Sequence, residues 1–366
     1  MLIQGFVNSG VVGVFLARIF EQKIAGMAEL CWTESASKLR FFTQALRVVR
    51  KDILSILFFV FVVSFCSFSV PLIVGGGKGT TLEVLIYEKV RISSDWGGAL
   101  ILSFLQSLIL FLFSLVKLKP TLKNVGRTQK MQLLQSRSAV AILILFCLFF
   151  CGFLIKGIFL GWSQFLQIPG LWQICVQALP VSFALSLLTG ALVFIFLLLT
   201  AYGKNDLLQR FLSGYVAPST ALIGFAFLLV PTTHEIFAYL KWISAFVILV
   251  FTGLYRMGWN QSLSALQKQL QMARSLGAEE WMIWKEITIP QVSSQAGLLA
   301  GIASLWAMGD FALSKMIFEQ DLTLGMLAQS LMSSYRIEAA LALSGLILAV
   351  GFLNFLLMAG LGRVTR

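Results

Sequence analysis

Residues 271–290 read QMARSLGAEEWMIWKEITIP and form a polar segment between two long apolar runs. Five apolar residues of this segment recur at a helical spacing: Ala273, Leu276, Trp281, Trp284 and Ile287. Charged residues, among them Arg274 and Glu280, supply a polar side. Gly277 interrupts the pattern, which favours a tight turn or the close approach of another backbone, and Pro290 stands where a new helix would start. The pattern therefore predicts two short helices that meet at a glycine and lie outside a lipid bilayer, between membrane-spanning helices.

The composition predicts a membrane protein with several spans. Hydrophobic residues make up 58% and charged residues 12% of the 366, and the mean hydropathy is +0.88. A soluble domain carries about 25% charged residues. The excess of 28 Lys and Arg over 16 Asp and Glu would suggest nucleic acid in a soluble protein. Here the basic residues concentrate in particular loops, so we attribute them to membrane topology and predict no nucleic-acid partner.

Nine apolar runs are long enough to cross a bilayer. They cover about 2–20, 53–74, 98–116, 138–160, 178–201, 214–231, 235–257, 294–317 and 337–361. The loops at 21–52 and 117–137 each hold six Lys or Arg residues, which places them on the cytoplasmic side. This topology predicts an N-terminus outside and a C-terminus, with Arg363 and Arg366, in the cytoplasm.

A faint internal repeat occurs at a shift of about 243 residues. Residues 65–68 align with 308–311, and Thr81-Leu82 aligns with Thr323-Leu324 one residue off that register. Both copies have the same predicted orientation, so the repeat is parallel. We predict an incomplete first half at 1–117 with three spans, a basic cytoplasmic linker at 118–137, and a second half at 138–366 with six spans. The loop at 28–48 would then correspond to the 271–290 segment.

The 271–290 segment resembles the cytoplasmic loop E-A-A-x3-G-x9-I-x-L-P of inner-membrane permeases from binding-protein-dependent ABC importers. Ala273, Gly277, Ile287, Ile289 (in the leucine position) and Pro290 match in register, whereas Gln271 and Met272 depart from the Glu-Ala start. The resemblance implies that this loop docks on a cytoplasmic ABC ATPase dimer, that a solute-binding protein delivers the solute outside, and that the chain lies in the bacterial inner membrane. An ordinary amphipathic helix at the membrane interface is the alternative.

Three other stretches narrow the resemblance. GGGKGTTLEVLIYEKV (75–90) is similar to the GGG-x-x-x-TTLE-x-x-IYQ stretch of two-half permeases from iron(III) and thiamine importers, and MGDFAL (308–313) and SLMSSYR (330–336) also resemble the thiamine type. This resemblance implies the all-α type I ABC importer permease fold. Such permeases carry six spans in each half, so we expect three spans of the first half to be absent. A late start site, a split gene or a degenerating copy would each explain that.

Asp310 is the most informative charged residue, because it lies deep in the predicted span 294–317. A carboxylate at that depth costs several kcal/mol unless it is paired or faces water. Two interpretations stay open: a pathway or gate residue, or a structural partner for a helix N–H, Ser314 or Lys315. The sequence predicts no metal site, no cofactor and no catalytic residues in the chain, and Lys78 lies in no complete phosphate-binding loop.

The leading hypothesis is therefore a permease subunit whose energy comes from ATP hydrolysis in a partner chain. A second permease chain is a further candidate partner, beside the ATPase, the solute-binding protein and the lipid bilayer. An ion-coupled secondary transporter is the first alternative function, although it would favour several buried carboxylates. A non-transporting scaffold or degenerate permease fragment is the second.

Overall fold

The computed structural model describes residues 12–13, 38–65, 67–68, 71, 81–114, 137–202, 220–231, 234–255, 259–318 and 323–364. Every regular element in these ranges is helical, and they contain no strand. The predicted all-α class is therefore confirmed. The predicted first span at 2–20 and the linker at 118–137 lie almost wholly outside the described residues.

The described helices follow one another along the chain. They are α1 (Lys38–Phe65), α2 (Leu82–Arg91), α3 (Trp96–Ser114), α4 (Arg137–Gln167), α5 (Leu171–Thr200), α6 (Thr220–Leu228), α7 (Glu235–Leu254), α8 (Asn260–Ser275), α9 (Glu280–Met282), a π-helix (Ile283–Thr288), α10 (Ile289–Gly309), α11 (Ala312–Ile317), α12 (Leu324–Ser333) and α13 (Ile337–Val364).

Three of these helices are long and apolar enough to cross a membrane. They are α5, α13 and residues 236–254 of α7, and they coincide with the predicted spans 178–201, 337–361 and 235–257. Helix α3 is apolar over the shorter stretch Trp96–Leu112. The fold thus agrees with a helical membrane protein, and the total of nine spans stays a prediction. Helix α1 begins at Lys38, ahead of the predicted second span at 53–74, and that span stays a prediction.

Helix α10 is the central helix of the bundle and packs between α5 and α13. Small residues allow the backbones to approach closely, as in many membrane helix pairs. A methyl group added to Gly297 of α10 would lie 2.7 Å from the carbonyl oxygen of Met358 and 2.8 Å from the Cα of Gly362, both in α13. On the other side, a methyl group on Gly190 of α5 would lie 3.0 Å from Cβ of Ser304. The backbone of α10 therefore lies close to both α5 and α13.

A glycine pair within α4 offers a test of the packing between α4 and α13. A methyl group on Gly161 would lie only 2.0 Å from the backbone oxygen of Glu338, whereas one on Gly152 would meet nothing within 4 Å. We expect Gly161→Ala to destabilise the protein by about 1–3 kcal/mol, because backbone must shift. Gly152→Ala should instead stabilise it by about 0.5–1 kcal/mol through lower chain entropy. Thermal unfolding in detergent measures both, and equal midpoints for the two variants would contradict the described contact.

The predicted span 294–317 is wrong as one continuous helix. Helix α10 starts earlier, at Ile289, and ends at Gly309. Asp310 is extended, with ψ of 122°, and the short helix α11 begins at Ala312. The break arises because Asp310 accepts hydrogen bonds from backbone N–H groups of the next turn, which competes with continuing the helix.

Helices α2 and α12 share a local design. Each has ten residues and begins with a threonine N-cap: Thr81 Oγ1 accepts from the N–H of Val84, and Thr323 Oγ1 accepts from the N–H of Met326. A residue with positive φ follows each helix, Ser94 at 53° and Tyr335 at 59°, and a long apolar helix comes next. The two N-cap threonines are the residues that the sequence alignment pairs, and the parallel repeat stays a prediction.

Candidate docking site on the 271–290 segment

Helix α8 ends in a Schellman motif built on Gly277. This glycine has φ of +82°, in the left-handed region that residues with a side chain rarely adopt. Its N–H donates to the oxygen of Arg274 at 3.0 Å, and the N–H of Ala278 donates to the oxygen of Ala273 at 3.1 Å. This pair of hydrogen bonds satisfies carbonyl groups that the helix end leaves without partners. The predicted turn at Gly277 is present.

An ion pair braces the turn. Nε and Nη2 of Arg274 donate to the two carboxylate oxygens of Glu280 at 2.6 and 3.1 Å. The hydrogen bond to Glu280 raises the pKa of Arg274 above its usual value. Because Arg274 belongs to α8 and Glu280 to α9, the fork of the guanidinium fixes the angle between the two helices.

Four large apolar residues around the turn are exposed. Their exposed fractions are 68% for Met272, 87% for Leu276, 57% for Trp281 and 57% for Met282. We call these four residues the docking patch. Exposed apolar groups clustered on a protruding turn are typical of a surface that binds another protein.

The prediction that the apolar residues of the segment share one face is wrong, because their exposures differ. Ala273 is buried and Ile287 is half-buried, whereas Leu276 and Trp281 are exposed. The equal spacing suggested one shared face, but the turn at Gly277 changes the direction of the chain and separates these residues onto different sides. Met272 and Met282 are exposed as well, but neither fits the helical spacing that singled out the other apolar residues.

The second half of the segment was predicted to be a separate short helix. It instead continues without a break into α10. The backbone stays helical from Glu280 through the π-helix Ile283–Thr288 and on to Gly309. Pro290 has no N–H to donate and its ring crowds the carbonyl four residues back. A wider π-helical turn beside it accommodates both effects. Ile289 and Pro290 are half-buried within this continuous run.

Trp284 fastens the segment to the end of α5. Its indole Nε1 donates to the oxygen of Leu198 at 3.0 Å, a carbonyl in the last turn of that helix. Its ring contacts Tyr202 edge-on at 5.6 Å and Trp281 of the docking patch at 5.1 Å, measured between centroids. A displacement of the docking patch would therefore reach α5 through Trp284 and α10 through the helical backbone.

Asp310, the other predicted site residue, lies at the break between α10 and α11. Its Oδ2 accepts from the N–H groups of Leu313 and Ser314, each at 3.1 Å. The hydroxyl of Ser314 donates to the main-chain oxygen of Asp310 at 3.0 Å and receives the indole N–H of Trp242 at 2.9 Å. The carboxylate thus acts as a cap for α11, which is the structural interpretation that the sequence left open.

Metal-binding side chains are not grouped in the described part of the chain. No set of three or more His, Cys, Asp or Glu residues there could hold a metal ion. Cys175 is a buried free thiol and Cys151 an exposed one. His234 is exposed at the start of α7.

The chain is similar to the thiamine transport system permease protein of Escherichia coli (strain K12). The two sequences are 24% identical over 343 residues, and the match covers 84% of this chain. The chain spans 62% of the length of that relative. No protein-family profile matches the sequence, and no solved structure matches it significantly. This distant similarity supports a membrane transport permease as the general class of the chain.

Proposed function

We propose that the chain is the transmembrane permease subunit of a bacterial ABC importer and carries a solute across the inner membrane. The docking patch on the Gly277 turn is the observation on which this proposal rests. It combines exposed apolar side chains, a fixed turn and direct links to two long helices. A separate cytoplasmic ATPase dimer would bind there through Leu276 and Trp281, while Ala273, Gly277, Ile287, Ile289 and Pro290 hold the shape of the segment.

ATP hydrolysis enters the permease as a difference in binding. The ATPase dimer has open and closed forms, and only a partner that binds the two permease states with different affinity can shift their equilibrium. Because α9, the π-helix and α10 are one helical run, movement of the patch also moves the core helix of the bundle. Trp284 moves the end of α5 with it. Helix α10 and the end of α5 then move together.

The proposed layout has two parallel halves joined by the cytoplasmic linker 118–137. The matched design of α2 and α12 supports this repeat. The N-terminus lies outside and the C-terminus, after α13, in the cytoplasm, as the basic loops favour. An extracytoplasmic solute-binding protein delivers the solute at the outer loops. Thiamine is the proposed solute, by analogy with the relative described above. An iron(III) complex is the alternative solute, because the 75–90 stretch resembles permeases of both importer types.

Asp310 offers a test of the pathway role. Asp310→Asn keeps an amide oxygen that can accept from Leu313 and Ser314, so folding and assembly should be unchanged. Uptake should fall if the negative charge lines the pathway. Asp310→Ala is the matched control for the cap, and it should destabilise the protein by about 0.5–2 kcal/mol. Normal uptake by Asp310→Asn would leave Asp310 with the capping role alone.

Capture of the full chain from membranes of its own bacterium tests the proposed function. We expect an ATP-hydrolysing subunit to co-purify. We also expect the complex in proteoliposomes to transport thiamine or iron(III) only when ATP is supplied on the side of the membrane where the docking patch lies. Uptake driven by an ion gradient without any ATPase would instead establish the secondary transporter. Capture of no ATPase, with no uptake under either condition, would favour the scaffold.

A further inference from the structure

Helix α2 carries an opposite charge at each end, and both charges are directed into the rest of the bundle. Glu83 in its first turn is fully buried, with 0% exposure, and Arg91 at its end is half-buried. Lys89 of the same helix behaves differently, since it pairs locally with Asp95 at 2.8 Å. A buried carboxylate and a half-buried guanidinium both need hydrogen-bond partners in the surrounding structure.

Glu83 joins α2 to two other helices. Its Oε1 accepts from Nε2 of Gln106 in α3 at 2.7 Å, and its Oε2 accepts from the N–H of Ala221 at 2.9 Å. Ala221 is the second residue of α6, where N–H groups lack helical partners and the helix dipole favours negative charge. The carboxylate of α2 therefore satisfies the start of a helix that lies 138 residues further along the chain.

Arg91 makes the complementary contact at the other end. Its Nη2 donates to the carbonyl oxygen of Met316 and, at 3.5 Å, to that of Phe318. Both carbonyls belong to the end of α11, where oxygens lack helical partners and positive charge is favourable. Helices α6 and α11 pack against each other, so the two charges of α2 hold one and the same helix pair.

Apolar groups close the space between the two charges. Val84, Tyr87 and Val90 of α2 are buried, and the ring of Tyr87 meets Phe68 edge-on at 5.2 Å. Phe68 in turn contacts Phe311, beside the break at Asp310, with 6.2 Å between centroids. The contact surface of α2 is therefore dry and apolar at its centre and charged at its ends.

We propose that α2 is a latch on the outer side of the permease, held shut by Glu83 and Arg91; this inference rests on the proposed function. A carboxylate or guanidinium is stable either in its hydrogen-bonded place or in water, and is costly in any arrangement between the two. The charged ends thus favour two discrete states: α2 docked on α6 and α11, or α2 displaced with both ends hydrated. Opening of the pathway to the outside is the step that displaces it.

Cysteine labelling tests the latch in intact cells. A reporter cysteine at Val84, on the buried face of α2, is introduced into a chain whose five native cysteines are replaced, and a membrane-impermeant maleimide is added outside. With Glu83 and Arg91 in place, labelling should be slow. Glu83→Ala or Arg91→Ala should each raise its rate by about tenfold or more, the size expected for loss of a buried charged hydrogen bond.

Two matched variants complete the design. Lys89→Ala removes a charge from the same helix and only breaks the local pair with Asp95, so labelling should stay slow. Glu83→Gln should also stay slow, because its amide oxygen accepts from Ala221 and its amide group donates to Oε1 of Gln106 after that side chain flips. Equal rates for Glu83→Ala, Arg91→Ala and Lys89→Ala would overturn the latch. The labelling needs no uptake, so a chain that labels as expected but does not transport with ATP would count against the proposed function alone.

Discussion

Trp281→Ala is expected to weaken binding of the ATPase by about 30-fold or more while leaving the fold intact. A tryptophan at the centre of an interface contributes 2 kcal/mol or more when it is truncated, and 1.4 kcal/mol is about tenfold in affinity. Because Trp281 is 57% exposed, its truncation removes little packing beyond the contact with the ring of Trp284. Leu276→Asp should act in the same direction, because it places a charge in the apolar docking patch. Binding of the purified ATPase to the chain in nanodiscs gives both affinities.

Trp172→Ala provides the matched control for this prediction. Trp172 at the start of α5 has a similar exposure of 51% and also contacts neighbouring aromatic rings, Trp162 and Phe165. It lies at the opposite end of α5 from Leu198, far from the docking patch. Its loss should leave the affinity for the ATPase unchanged. Equal affinities for Trp281→Ala, Leu276→Asp and Trp172→Ala would show that the patch does not bind the ATPase.

Gly277→Val is expected to reduce ATPase binding by about tenfold through backbone strain. A methyl group at Gly277 would meet nothing within 4 Å, so no clash contributes. The cost comes from φ of +82°, which is worth about 1–2 kcal/mol for an ordinary residue and more for a β-branched one. The turn that presents Leu276 should then be populated less often. Binding of the ATPase and uptake should fall together.

Asparagine and aspartate separate strain from charge at the same position. Both tolerate the left-handed conformation better than other residues, so Gly277→Asn should bind the ATPase nearly as well as the parent chain. Gly277→Asp keeps that tolerance but adds a negative charge beside Glu279 and Glu280, and it should lose co-purification of the ATPase. Weak binding by Gly277→Asn, together with normal binding by Gly277→Val, would contradict the role of the turn.

Local chemistry made part of this structure predictable. Gly277 interrupts a helical pattern, and the Schellman motif follows from its freedom at positive φ. Long apolar runs likewise predicted α5, α7 and α13. The break at Asp310 was missed because the apolar run continues past it, although an aspartate after a glycine is a helix-ending signal in itself. Pro290 lies in the first turn of α10, as predicted, but a π-helical turn joins that helix to α9, so the two are not separate.

Contacts between distant residues were beyond the reach of the sequence. Trp284 and Leu198 are 86 residues apart, and Glu83 and Ala221 are 138 apart. Neither pair leaves a periodic pattern, because each depends on how helices meet rather than on how one helix is built. The sequence therefore indicated the 271–290 segment as a candidate site, while the contact of Trp284 with α5 and the contacts at the charged ends of α2 emerged only from the fold.

Photo-crosslinking from position 282 tests directly whether the docking patch contacts an ATPase. Met282 belongs to the docking patch and is 57% exposed, so a photoreactive residue there should not disturb folding. The same residue at Phe153, exposed on α4, serves as the control. In cells of the source bacterium, we expect an adduct between position 282 and an ATP-hydrolysing subunit, and none from position 153. Adducts of position 282 only with proteins from outside the cytoplasm would contradict it.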